Sequence, residues 1–187
     1  TMELAASSTF AASSSTVLFN ATTTGKSITA ADTVTFNELV FDGVGGGWNL
    51  GADVVVLGDM SVTNGTVTGT GDITIPDGDL SGNGVLSLGA GTTTINSSNS
   101  LGGTSAWTFF NLQLGDGLSI GTTTPLFTAT TTVAGVLLIE NAHFLDAGST
   151  VWDLSGSGTV FVEEGTFIES TSTVRYSGAS SNVLSTT

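Results

Sequence analysis

Ser61-Val62-Thr63-Asn64-Gly65-Thr66-Val67-Thr68-Gly69-Thr70-Gly71-Asp72-Ile73-Thr74-Ile75-Pro76-Asp77-Gly78 is the stretch whose reading decides the fold class. Val62, Val67, Ile73 and Ile75 alternate with small polar residues, the period-two pattern of a strand that buries one face. Each alternation is short and stops at a turn, first at Asn64-Gly65 and later at Pro76-Asp77-Gly78. The texture recurs at Thr159-Val160-Phe161-Val162, followed by Glu163-Glu164-Gly165. Turn residues return about every 8–12 positions, which predicts many short strands. Pro76 and Pro125, the two prolines, both fall at strand edges or turns.

Composition supports an ordered all-β chain. Of 187 residues 39% are hydrophobic, and mean hydropathy is +0.35, too apolar for disorder despite a net charge of -14. Thr, Ser and Gly together are about 44% of the residues, and Thr, Ser, Gly and Val are poor helix formers. Two cations, Lys26 and Arg175, are too few to neutralise nucleic-acid phosphates or anionic lipid headgroups. With no cysteine there is neither a disulfide scaffold nor a thiolate metal site. Apolar runs such as Val54-Val55-Val56-Leu57 are far short of a membrane-spanning helix. A chain opening on Thr1, with no Met and no signal peptide, is expected of a processed product or a piece of something longer.

The chain resembles itself. Ser15-Thr16-Val17-Leu18-Phe19 reappears as Ser172-Thr173-Val174-Arg175-Tyr176, and Ser8-Thr9-Phe10 as Gly165-Thr166-Phe167, with Leu4 falling on Phe161. Asp79-Leu80-Ser81-Gly82-Asn83-Gly84 recurs as Asp153-Leu154-Ser155-Gly156-Ser157-Gly158, and Phe36-Asn37-Glu38-Leu39 resembles Phe110-Asn111-Leu112. Residues 1–187 therefore read as one continuous β-repeat region. It holds about two units of roughly 74–83 residues, and its last ~30 residues re-enter the phase of the first ~30. A β-solenoid, like a parallel β-helix, accommodates so irregular a period, because a coil can gain or lose residues at a turn. Tandem small β-sandwiches are the alternative. Units of this size are small for a sandwich and marginal without disulfides.

Stretches such as Val67-Thr68-Gly69-Thr70-Gly71-Asp72-Ile73-Thr74 and Gly165-Thr166-Phe167-Ile168-Glu169-Ser170-Thr171-Ser172-Thr173-Val174 resemble the repeats of bacterial secreted or cell-surface β-strand-repeat proteins. The resemblance is compositional and covers nearly the whole chain. It implies an extracellular, adhesin-like repeat protein with no catalytic centre, and it carries over no functional residues.

Each candidate for chemistry has a plainer reading beside it. Asp77, Asp79 and Asn83, with Gly82, imitate the start of a calcium loop, but Leu88 stands where a bidentate Glu belongs. A polar turn is the better reading, and calcium is the one ion to test. Glu163 with Glu164, Asp146 with Asp153, and Asp72 with Asp77 are carboxylate pairs without a His, Lys or Arg at suggestive spacing. His143, the single histidine, reads as a half-exposed strand or turn residue. Lys26, after Thr24-Gly25, reads as a turn residue rather than an isopeptide lysine, and Arg175 as facing solvent. Trp48, Trp107 and Trp152 with ten Phe could form a glycan platform, but Phe36, Phe110, Trp107 and Phe161 sit at core-like alternating positions, and core packing is the better reading. The Ser13-Ser14-Ser15, Thr22-Thr23-Thr24 and Thr122-Thr123-Thr124 patches read as exposed, and Thr66-Val67-Thr68 suggests a hydroxyl ladder. Asn20, Asn64 and Asn96 head sequons expected by chance in so Ser/Thr-rich a chain.

The sequence thus predicts no enzyme, no catalytic or cofactor-binding residue and no resident metal. It predicts a secreted, cell-surface structural protein, a subunit or segment of a filament, stalk or adhesin shaft. Its partner is itself, head to tail through Leu4 to Phe19 and Phe161 to Tyr176, or a tandem neighbour, with surface glycans a further partner. A binding module for ice or carbohydrate on the same scaffold is the alternative function.

Overall fold

The computed structural model describes residues 1–6 and 10–185, and those residues form a three-sided parallel β-solenoid. The chain runs around a triangle, and each strand pairs in parallel with the strand one coil before and one coil after. The first face holds Met2–Leu4, Lys26–Ala30, 47–50, 66–69, Val85–Leu88, Thr108–Phe109, Thr131–Val133, Val151–Leu154 and Thr173–Tyr176. Along the second face lie Val34–Phe36, Val54–Val56, Ile73–Ile75, Thr92–Ile95, Asn111–Leu114, Leu137–Ile139, Gly158–Glu163 and Ser181–Ser185. Residues 10–13 lie over its first strand, with the Phe10 and Phe36 rings 5.4 Å apart. Thr16–Phe19, 38–41, 60–63, Leu80–Ser81, Asn99–Gly102, Gly121–Pro125, His143–Asp146 and Thr166–Ile168 make the third face. The strands Glu38–Leu50 and Met60–Gly69 each turn a corner and serve two faces.

Period-two alternation sends one set of side chains inward, and the parallel register stacks that set into columns. Val34, Val54 and Ile73 are successive members of one column, all at most 2% exposed. Another runs Ile28, Leu50, Gly69, Leu88, and continues through Phe109, Val133 and Leu154 to Tyr176. The interior is one continuous apolar cluster from Ile28 to Phe161, so no sandwich boundary divides it. Aromatic pairs tie coils together: Phe19 stacks on Phe41 at 5.3 Å, and Phe127 meets Trp107 edge-on at 5.6 Å and Trp152 at 5.9 Å. Each such pair contributes about 0.5–1.5 kcal/mol beyond the area buried.

Four of the sixteen acidic residues, Asp53, Asp59, Asp72 and Asp79, act as hydrogen-bond acceptors at the corners. Asp53 accepts the Asp72 N–H at 2.9 Å, and Asp72 accepts the Thr92 N–H at 2.7 Å. Asn111 continues this ladder by accepting from Val136. At the next corner Asp59 accepts the Asp79 N–H at 2.9 Å, and Asp79 accepts the Ser100 N–H at 2.7 Å. A short acceptor at the start of these strands thus satisfies a backbone donor of the coil above, where the turn has interrupted the sheet ladder.

The coil itself is 19 to 26 residues, as the register partners Thr92 with Asn111 and Met2 with Ile28 show at the extremes. The self-similar stretches of 74–83 residues do not return to the same face. Leu80 lies on the third face and its sequence match Leu154 on the first. Val17 lies on the third face and Val174 on the first. The ends therefore share a sequence phase but not a face. Ser8 and Thr9 of that match lie outside the described residues.

Candidate functional site

The loop Asp77–Gly84 spends its oxygens on neighbouring coils rather than on a common centre. Asp79 is in the corner ladder, and Asn83 Oδ1 accepts from the Thr104 N–H at 3.2 Å and its Oγ1 at 3.0 Å. Among the described residues no group of three or more His, Cys, Asp or Glu side chains could hold a metal ion. The carboxylate pairs do not converge either. Asp146 is on the third face and Asp153 on the first, where Arg175 holds it in a 2.7 Å ion pair. That bond is the main reason the Asp153 carboxyl lies below its usual range. Asp72 and Asp77 bracket the strand Ile73–Ile75 at opposite corners, and Glu164 is exposed at the corner after Gly158–Glu163.

His143 departs from the expected half-exposed residue: it is fully buried. Its register partner one coil below is Gly121, where a Cβ would stand 2.8 Å from the ring's Cε1 and Nδ1. The missing side chain makes room for the imidazole. Nε2 lies 2.9 Å from Thr123 Oγ1, and Nδ1 is buried without a hydrogen-bond partner. Burial pushes the imidazole's pKa down, with Asp116 opposing. Nearby, burial raises the Glu140 carboxyl, and repulsion from Glu164 and Asp116 adds to it. Asp116 itself is pulled down by the backbone N–H groups of Ser119 and Leu118, which it accepts at 2.8 and 2.9 Å. The cluster is a buried histidine beneath an acidic corner, with no nucleophile–base–carboxylate chain.

Trp48, Trp107 and Trp152 are at most 2% exposed, so none is a stacking platform for sugars. Trp107 Nε1 donates to the Gly84 carbonyl at 2.9 Å, and Trp152 Nε1 to Thr150 Oγ1 at 2.8 Å. Phe36 and Phe161 are core, as the alternation predicts. Phe110 is exposed, because its neighbour Phe109 takes the inward position. Thr123, in a triplet read as exposed, points inward for the same reason. Lys26 lines an open groove of about 370 Å³ with Thr24, Trp48, Asn49, Thr66 and Thr68.

The first and last described coils differ from the rest in burial. Among the described residues the inward columns continue into both of these coils. Leu154 is fully buried, yet Tyr176, next in its column, is 43% exposed. Phe161 is 6% exposed and Val183 above it 52%. At the other end Met2, Leu4, Phe10, Val17 and Phe19 are only partly buried against the core. Thr16–Phe19 and Ser181–Ser185 contain no charged residue, whereas edge strands ordinarily carry charges that block further pairing. The sequence marked these end segments by their mutual likeness, although it could not assign their faces.

Comparison with protein-family models finds no match, and comparisons with curated proteins and with solved structures find none either. The class of protein is therefore stated from the structure itself: an all-β parallel β-solenoid repeat scaffold.

Proposed function

We propose that this solenoid is a rigid segment of an extracellular, cell-surface shaft or filament, extended by stacking coil on coil at its ends. The supporting observation is the stack itself: parallel strands pair coil on coil along all three faces, over one continuous apolar interior from Ile28 to Phe161. A Thr/Ser-rich surface with two cations also offers few sites to trypsin-like proteases, which suits exposure outside a cell. The mechanism is geometric: each coil is a template of strand edges and inward apolar side chains for the next.

Electron microscopy of the native material, then of the isolated chain, tests this reading. Fibrous native material is expected; its absence would overturn the shaft reading. Deleting the residues before Phe10 is expected to abolish stacking and to leave the fold intact, since the columns from Ile28 onward do not need them.

A second reading, an ice- or carbohydrate-binding face, draws on one observation. Ser27, Asn49, Thr68, Ser87, Thr108 and Thr132 form an outward polar column on successive coils of the first face. Thermal hysteresis or glycan retention by a non-assembling form of the chain is its test.

A further inference from the structure

We propose that one ring of a neutral sugar docks in a groove on the outer side of the second face, between the column Thr92, Asn111, Val136 and the column Gln113, Leu138. This takes up the carbohydrate reading above and gives it a site, without using the polar column of the first face.

Period-two alternation turns Leu112, Leu114, Leu137 and Ile139 inward and leaves Asn111, Gln113 and Leu138 outward and half-buried. Parallel register then sets Thr92 below Asn111 and Gln113 below Leu138. The two columns enclose about 190 Å³, with the backbone of the buried Leu112 as floor. The groove lies inside the stack. Ile73–Ile75 pairs with the strand at its lower side and Gly158–Glu163 with the strand at its upper side.

Its polar groups are held before any ligand arrives. Asn111 Oδ1 accepts the Val136 N–H at 2.9 Å, and Nδ2 donates to Thr92 Oγ1 at 3.5 Å. Gln113 Nε2 donates to the Gly115 carbonyl at 3.3 Å and to Glu140 Oε1 at 3.1 Å. Both amides are thereby fixed. Left over are the Thr92 hydroxyl hydrogen and the second Asn111 Nδ2 hydrogen as donors, and Gln113 Oε1 as an acceptor. Groups ordered in advance lose little freedom on binding.

A pyranose matches this inventory. One side of the ring is C–H and can lie on Val136 and Leu138, while its hydroxyls both donate and accept. The volume is below the roughly 300–1,000 Å³ of sites for drug-sized ligands, which suits a single ring. No charged side chain lines the groove. The charged groups bonded to its lining residues are acidic: Asp72 accepts the Thr92 N–H, and Glu140 holds Gln113. Both cations, Lys26 and Arg175, are on the first face. Acidic sugars and phosphates are therefore repelled. A peptide is disfavoured on another ground. Strand addition needs a free sheet edge, and Asn111–Leu114 is paired on both sides.

Nuclear magnetic resonance on the isotope-labelled full chain tests the site. The neutral probes are the methyl glycosides of glucose, galactose, mannose and N-acetylglucosamine, and methyl glucuronide is the carboxylate counterpart of the first. At least one neutral glycoside is expected to bind with a Kd on the order of millimolar. It should shift the side-chain amides of Asn111 and Gln113 and the backbone amides of 136–138 in a saturable way. The glucuronide is expected to bind about fivefold more weakly than the glucoside. Thr92→Val removes a donor and Gln113→Leu an acceptor, and each is expected to weaken binding about fivefold. Thr92→Val preserves the side-chain shape, so it decides the matter if Gln113→Leu disturbs the fold. Saturable shifts at Ser27, Asn49 and Thr68 alone overturn this groove and leave the carbohydrate reading to the first face. Tighter binding of the glucuronide overturns the neutral ligand. Binding that neither variant weakens, or no saturable shift from any probe, overturns the site, whereas the shaft reading is judged separately on whether the native material is fibrous.

Discussion

Trp107→Ala tests whether the interior is held coil to coil as described. Trp107 is fully buried on the path into Thr108–Phe109. Its ring lies 5.6 Å from Phe127 and 6.2 Å from Phe109, and its Nε1 donates to Gly84 one coil below. Truncating a buried Trp to Ala costs about 3–5 kcal/mol through lost transfer energy and the cavity left behind. The upper half of that range is expected, because two edge-on aromatic contacts of about 0.5–1.5 kcal/mol each go with it and the Gly84 carbonyl loses a donor. For a chain of this length each kcal/mol moves Tm by about 2–4 °C, so a fall of roughly 8–20 °C is expected by circular dichroism. A solenoid coil touches only its neighbours, so the damage is local. Amide exchange is expected to rise at Val85–Leu88 and Thr131–Val133, which pair with Thr108–Phe109, and to stay slow at Val34–Phe36. A stability loss below about 1 kcal/mol, or exchange that rises equally along the whole chain, would refute the reasoning.

Three further outcomes are expected. His143 has a folded pKa below its ordinary value, so its contribution to stability is present above about pH 6.5 and lost as pH falls through that value toward the folded pKa; the urea midpoint of the parent should drop between pH 7 and 5 more steeply than that of His143→Gln. Glu140, whose folded pKa is raised, has the opposite sign: its contribution is complete below its unfolded pKa of about 4.5 and lost as pH rises through the folded one, so Glu140→Gln should gain stability at neutral pH and lose that gain in acid. Asp79→Ala removes the acceptor for Ser100 and should cost about 1 kcal/mol, whereas Asp79→Asn keeps an acceptor and should cost less. Millimolar calcium should move the melting of neither variant relative to the parent, and a calcium-dependent rise lost in Asp79→Asn would overturn the corner-ladder account.

The sequence by itself determined strand, turn and inward alternation. Val62, Val67, Ile73 and Ile75 alternate with hydroxyls, and each is buried where the pattern places it. It also favoured a solenoid over sandwiches, because an irregular period is natural when coils differ only at their corners. The coil was not legible. All three faces bury one side of a short strand and end in a similar turn, so self-similarity matches strand-turn units and pairs Leu80 with Leu154 across different faces. Which turn closes the triangle depends on corner angles that composition does not encode. His143 was misread for a related reason: its burial depends on Gly121 one coil below, 22 positions away in sequence, and only the register brings the two together. The first and last coils divide in the same way: their apolar side chains can be read from the sequence, but Val17 and Val174 are assigned to different faces by the register alone, because a face is defined by the neighbouring coil.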